Sequence, residues 1–172
     1  MSELELFDTD RLVLSGWRRD QIGDLVRLHG DPIVARYLTS HGRPWTMPEM
    51  EAALDGWIDL FETRRLGKLR VTRKADGVLV GRAGFGVYPP TGEPELGYSL
   101  YPEFWGNGYA FEAASGLRDW MFRETDAGHF IGLADVRNAA SLKILDKIGM
   151  TRTHVGPAPA EQLCQFFIQG RP

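Results

Sequence analysis

Apolar positions change their spacing several times along the chain, and each change predicts an element. Arg11–Trp17, RLVLSGW, alternates loosely as a strand does, while Ile22, Leu25, Val26 and Leu28 fall near helical spacing and stop at Gly30. The segment DPIVARYLTSHGRPWT reads as a short helical piece followed by a loop around Gly42 and Pro44. Met50, Ala53, Leu54, Trp57, Ile58 and Phe61 return to helical spacing, with Thr46 placed as N-cap and Pro48 in the first turn. KLRVTRK and VLVGRAGFGVY follow as strands, separated by Ala75, Asp76 and Gly77, where Asp-Gly is a strong hairpin signal. EPELGYSLY predicts a third strand after the turn PPTGE.

The pattern then changes character. Two glycines precede a helix at about 109–122; a strand, HFIGLADV, leads to a helix at about 139–148 stopped by Gly149, and MTRTHV and LCQFFI close the chain as a strand pair. An antiparallel meander followed by alternating helices and strands predicts an α/β fold with about six or seven strands and helices on both faces. No internal repeat, low-complexity tract or linker divides the chain, so a single domain over residues 1–172 is expected.

Composition narrows the function classes. With 172 residues, 43% of them hydrophobic, the chain can bury a real core. A net charge of −3 with dispersed basic residues is no footprint for nucleic acid. No apolar run is long enough to span a bilayer, and the acidic start MSELELFDTD differs from a signal peptide, so a soluble cytoplasmic protein is expected. Cys164 is the sole cysteine, which excludes an internal disulfide framework; within LCQFFI it reads as a buried strand residue. His29, His41, His129 and His154 lack metal-ligand spacing, and no serine lies in a G-x-S-x-G setting, so neither a metal site nor a serine nucleophile is expected. Gly81, Gly84 and Gly86 fail as a dinucleotide fingerprint because Pro89 and Pro90 follow where a helix must start; they read as bulges or close strand packing.

Gly106 and Gly108 stand directly before the helix that begins near Tyr109. A helix start leaves backbone N–H groups unpaired and carries partial positive charge, and glycine lets a ligand approach that backbone closely. This order suits a phosphate or pyrophosphate held by main-chain amides. A plain tight turn at Asn107 and Gly108 accounts for the same spacing, which alone does not choose between them.

ELGYSLYPEFWGNGYAFEA, followed later by VRNAASLKILDKIGM, resembles the acetyl-CoA signature of the GNAT superfamily of N-acetyltransferases, most closely its RimJ/RimL-like branch of ribosomal-protein N-terminal acetyltransferases. The resemblance runs from TDRLVLSGW to the Lys147–Met150 step. It implies an acyl-CoA N-acyltransferase fold, a mixed, mostly antiparallel sheet flanked by helices. It also implies direct transfer of acetyl from acetyl-CoA, as co-substrate and without a metal, to a primary amine of a protein N-terminus or small molecule. The matching positions imply that backbone amides of Trp105, Gly106, Asn107, Gly108, Tyr109 and Ala110 bind pyrophosphate, and that Asn138 and Ser141 face the pantetheine and thioester. Leu96 and Gly97 would offer backbone to the acetyl carbonyl. In similar proteins the loop holding Arg43 and Trp45 borders the acceptor groove, although Trp45 beside Pro44 equally suits a packing anchor. A homodimer is common among similar proteins.

Two departures bear on activity. Glu103 stands where the family motif often has Gln or Arg, and no tyrosine follows Tyr109 to protonate a leaving thiolate. They motivate an alternative reading, an inactive acyl-CoA-binding sensor or interaction module. For catalysis the amine must be neutral, which demands less of an α-amino group (pKa about 7.7–8.0) than of lysine (about 10.4). Glu95, alternating with Gly97 and Ser99, is a candidate base acting through water, or simply an exposed strand carboxylate. Ser141 can donate to the thiolate or only solvate the first turn of a helix capped by Asn138, and the two roles are compatible. Glu112, in the first helical turn, is expected to answer the helix dipole.

Overall fold

The computed structural model describes residues 3–172; Met1 and Ser2, which open the acidic stretch, lie outside them. Strands β1 (Glu5–Asp8) and β2 (Leu12–Ser15) lead into helices α1 (Ile22–His29), α2 (Pro32–Ala35) and α3 (Met47–Arg64). The meander follows as β3 (Gly67–Arg73), β4 (Leu79–Val87) and β5 (Pro94–Leu100). Then come α4 (Tyr109–Glu124), β6 (His129–Asp135), α5 (Ala139–Lys147), β7 (Thr151–Pro157) and β8 (Leu163–Gly170). The strands form one sheet in the order β1-β2-β3-β4-β5-β6-β8-β7, antiparallel throughout except for β5 beside β6. This is the expected mixed, mostly antiparallel sheet with eight strands instead of six or seven. The additional strand, β1, is four residues long and buries only Phe7, too little for alternation to reveal it.

Strand register sorts the side chains onto two faces. Leu69, Ala83, Phe85, Leu96, Phe130 and Phe167 join Ala113, Leu117 and Met121 of α4 and Leu145 of α5 in the main core. Each fully buried leucine or phenylalanine there contributes about 1.5–3 kcal/mol over an exposed one. The other face meets α1 and α3 through a smaller core of Trp17, Leu25, Met50, Leu54 and Trp57. The bulge reading of the meander glycines is met at Gly81, where the β3–β4 register shifts.

The parallel ladder is the fold's interruption. It holds only Glu95↔Ile131 and Leu96↔Gly132, although β5 continues to Leu100 and β6 to Asp135. The antiparallel partners of these two strands remain paired along their length, so the sheet parts as a wedge between β5 and β6. A parallel pair requires a crossover connection, here α4, and this brings the helix start to the end of β5 where the wedge opens.

No helix among the described residues is long and apolar enough to cross a membrane. Helix α3 begins as expected: Glu49 N donates to Thr46 Oγ1 at 3.5 Å, and Thr46 N donates to Glu49 Oε2 at 2.6 Å. The Thr46→Ala variant should lose about 1 kcal/mol of stability. Urea denaturation should show a lower midpoint with an unchanged slope.

Candidate active site

The glycine loop has the conformation that glycine permits. Gly106 and Gly108 both have φ of +78°, in the left-handed region. Trp105 Nε1 donates to Leu100 O at 3.0 Å, and the Asn107 side-chain amide donates to Phe104 O and Trp105 O, so the loop closes on itself. Gly108 is the N-cap of α4 and offers no side-chain acceptor. Glu112 N bonds to Gly108 O at 3.0 Å, whereas the N–H groups of Gly108, Tyr109, Ala110 and Phe111 have no acceptor among the described residues. Unpaired amides at the positive end of a 16-residue helix can receive an anion. Glu103 is turned aside: its Oε1 accepts from Arg27 Nη2 at 2.9 Å.

Arg11, not singled out from sequence, adds a cation to this loop. Its Nη1 donates to Asn107 O at 2.9 Å, and its guanidinium lies 4.6 Å from the Tyr109 ring centroid. Its position depends on Glu112, which lies in the first turn of α4 as expected and has partners in addition to the helix dipole. Glu112 accepts from Thr9 Oγ1 at 2.6 Å, Arg11 N at 2.8 Å and Arg11 Nε at 2.6 Å, tying the β1–β2 connection to α4. Partial burial pushes the Glu112 carboxyl up, but these donors outweigh it and hold the group below its ordinary value of 4.5.

The expected second motif is assembled at the wedge. Asn138 Oδ1 accepts from Ser141 N at 3.2 Å, capping α5. Tyr98, reaching from β5, places its hydroxyl 3.0 Å from Ser141 Oγ and 3.1 Å from Ser141 O. A phenol has one proton; when it is given to Oγ, the serine O–H is free for another acceptor. Burial pushes the Tyr98 phenol above its ordinary range, keeping it neutral. Sequence reading looked for a tyrosine after Tyr109, whereas the structure brings one from the preceding strand.

Leu96 is buried in the main core and can show a ligand only its backbone, while Gly97 has no side chain to obstruct one. Glu95 is half-buried on the opposite sheet face, paired in register with Gly86 and Ile131, and no donor bonds its carboxylate among the described residues. Glu95 and Ser141 therefore approach the wedge from opposite sides of the sheet.

The Glu95 face also contains Lys68 and Arg82, neither of them anticipated. Lys68 Nζ donates to Gly84 O at 3.2 Å and Glu95 O at 3.0 Å; burial lowers its pKa to about 8, with Glu95 opposing the shift. Arg82 Nε donates to His29 Nε2 at 3.1 Å, so His29 carries its proton on Nδ1. Burial, followed by the Arg82 charge, pushes His29 down to about 2 and leaves it neutral. Trp45 stacks on His29 with centroids 4.1 Å apart and donates its backbone N–H to His29 O at 3.2 Å, so it is a packing anchor for its loop. Arg43 is exposed, with its backbone N bonded to His41 Nδ1.

Cys164 is fully buried, and burial pushes its thiol to about 11, away from nucleophilic use. No group of three or more metal-ligating side chains comes together among the described residues. Two open surface hollows, one beside Glu5 and Arg64 and one beside Arg118 and Arg171, lie away from the wedge.

A mixed sheet parted at its one parallel pair, with a glycine-started helix at the opening, is the architecture of an acyl-CoA N-acyltransferase. The acetyltransferase (GNAT) domain family matches residues 11–151, and the chain belongs to that family. Membership makes this domain an acetyl-CoA-dependent acetyltransferase. The chain is 24% identical over 157 residues to the uncharacterized N-acetyltransferase p20 of Bacillus licheniformis, covering 87% of this chain and 84% of that protein. It is 45% identical over 56 residues to the uncharacterized protein YkkB of Bacillus subtilis, and this match spans only 33% of each chain. Among solved structures, an acetyltransferase from Agrobacterium tumefaciens superposes with a TM-score of 0.81 at 24% identity, covering 98% of this chain and 95% of that one. RimL, a ribosomal L7/L12 α-N-protein acetyltransferase solved with coenzyme A, superposes with a TM-score of 0.79 at 16% identity, covering 96% and 97%. These two likenesses speak for the fold.

The Glu112 tether gives a pH dependence. A carboxyl lowered on folding adds stability above its ordinary value of 4.5 and loses that contribution as the pH falls through the lowered value. Wild type should exceed Glu112→Gln in stability at pH 7, and the gap should close as the pH falls below 4.5, measured by urea denaturation at each pH.

Proposed function

We propose that the protein transfers acetyl from acetyl-CoA directly to a primary amine of a small molecule or a protein N-terminus, without a covalent enzyme intermediate. The observation that carries this reading is the unpaired amide set at the start of α4 beside the wedge, flanked by Ser141 and Glu95 on opposite sheet faces. The backbone of Trp105 to Ala110, supported by Arg11, holds the pyrophosphate; Asn138 and Ser141 face the pantetheine, and the backbone at Leu96 and Gly97 faces the acetyl group. Bound acetyl-CoA supplies an activated acyl carbon: the amine lone pair forms the C–N bond, the C–S bond breaks, and the thiolate departs with that electron pair.

Glu95 takes the amine proton through a water, and Ser141, held by Tyr98, passes a proton to the departing sulfur and is reprotonated from solvent while Glu95 releases its own proton to solvent. A thiol pKa near 8.5 makes the second transfer undemanding. Arg43 and the loop anchored by Trp45 border the acceptor side. The sensor alternative rested on Glu103 and the missing late tyrosine. Glu103 is engaged by Arg27 away from the loop amides, and Tyr98 brings a phenol to Ser141, so both motives weaken.

Replacing Gly108, at φ +78°, with valine strains the backbone and crowds Arg11 Nη2, which lies 3.4 Å from the added carbon. Gly108→Val should keep its circular dichroism spectrum and lose acetyl-CoA binding in calorimetry; unchanged affinity would remove the pyrophosphate site. Glu95→Gln should reduce amine-dependent thiol release by about 100-fold or more, with the largest deficit at pH values where the amine is protonated. A uniform small loss at every pH would reject Glu95 as base.

A further inference from the structure

Lys68 and Arg82 are 9% and 6% exposed, yet neither has a carboxylate within salt-bridge distance among the described residues. Elsewhere the partly buried arginines are paired, as Arg70 is with Asp24 and Arg73 with Asp76. Burying one unpaired cation is costly, and burying two beside each other adds repulsion. Their heads converge on a defined spot: a Cβ built on Gly97 would lie 2.6 Å from Lys68 Nζ and 3.7 Å from Arg82 Nη1. Lys68 spends its two hydrogen bonds on backbone carbonyls, leaving one ammonium N–H, and Arg82 Nη1 and Nη2 have no acceptor among the described residues. The other charged and titratable groups on this face are Glu95, which acts on both cations through space, the Asp24–Arg70 pair, the neutral His29 and, towards β6 and β8, Tyr88, Cys164 and the Asp135–Arg137 pair, whose carboxylate is already engaged.

Resting on the acetyl-transfer reading, we propose that the acceptor is a small primary amine bearing a carboxylate, an amino acid in the broad sense. Lys68 and Arg82 receive its carboxylate while Glu95 meets its amine. Lys68 Nζ bonds the backbone carbonyl of Glu95, and the Glu95 carboxylate, on the same sheet face, acts on both cations through space, so negative and positive groups share the surroundings of Gly97, complementary to a zwitterion. The bound carboxylate supplies the counter-charge that the fold leaves out, and it favours the charged form of Lys68. Amines without an acidic group meet two uncompensated cations as they arrive in their ammonium form.

The test compares matched pairs: L-alanine with L-alaninamide and β-alanine with β-alaninamide, with a short peptide as a third acceptor. Thiol release should give the acids a kcat/KM about tenfold or more above their amides, although the amides have the more readily neutral amines. Lys68→Met should lower that acid-to-amide ratio by about tenfold or more, and Lys68→Arg should restore it. Wild-type preference for the amides or the peptide, or an unchanged ratio in Lys68→Met, would overturn the proposal. The wild-type comparison decides even if the methionine variant does not fold. Calorimetry of the CoA-saturated protein with N-acetyl-L-alanine and its amide separates the two readings. Carboxylate-selective binding without turnover on any amine keeps the anion subsite and rejects the transferase reading. Turnover without carboxylate selectivity does the reverse.

Discussion

The structure depends on where hydrogen bonding between β5 and β6 stops. Two residue pairs join them, and then each strand stays bonded only to its antiparallel neighbour. The molecule is thus two half-sheets, β1 to β5 and β6 with β8 and β7, hinged at Glu95–Leu96 and Ile131–Gly132. Neither half loses its own ladder, so the opening costs few backbone bonds. Tyr98 spans the split to Ser141, and α4, the crossover that a parallel pair obliges, presents its amide end there. Strand backbone released from pairing, an anion-receptive helix start and the Tyr98–Ser141 contact across the split follow from one missing stretch of pairing.

The two sheet faces then acquire different chemistry. On the α4 and α5 side the surroundings are largely apolar, and Tyr98 and Ser141, at the split, satisfy each other. On the α1 and α3 side, charge is retained under aromatic cover: Trp57 lies against Arg82, and Trp45 closes over His29. Arg82 also fixes the His29 tautomer, and burial, aided by the Arg82 charge, keeps that ring neutral, so the imidazole acts there as an acceptor and a stacking surface. Arg11 and Glu112 join the first strands to the glycine loop across 101 residues of sequence, which makes the loop's position a property of the whole sheet.

What the sequence made legible was local. Thr46 with Glu49, Asn138 before Ser141, and Gly108 before Tyr109 lie within a few residues of the elements they start, and each cap or glycine was found where its pattern placed it. Glu95, Gly97 and Ser99 alternate, and register puts them on one face. The rest depended on partners distant in sequence. KLRVTRK reads as a strand with one polar face, and nothing local says that Lys68 is buried. The reason lies in Gly86 and Gly97, which leave room above neighbouring strands for its long side chain. Glu112 lies in the first turn of α4, as its dipole reading requires, but its hydrogen-bond partners, Thr9 and Arg11, are about a hundred positions away and invisible to local pattern. Tyr98 alternates like any strand residue, and only the wedge makes its reach to α5 meaningful.

The contact between Lys68 and Gly97 has a consequence for descent. Any side chain at 97 displaces the ammonium, since even a methyl carbon would lie 2.6 Å from Nζ. Conversely, shortening Lys68 while glycine remains leaves a void beneath the strand and two carbonyls without their donor. Either change alone is penalised, and the two together are compensatory. Homologues that left this cationic floor behind should therefore have altered both positions, so that a larger residue at 97 marks a sheet face of another charge.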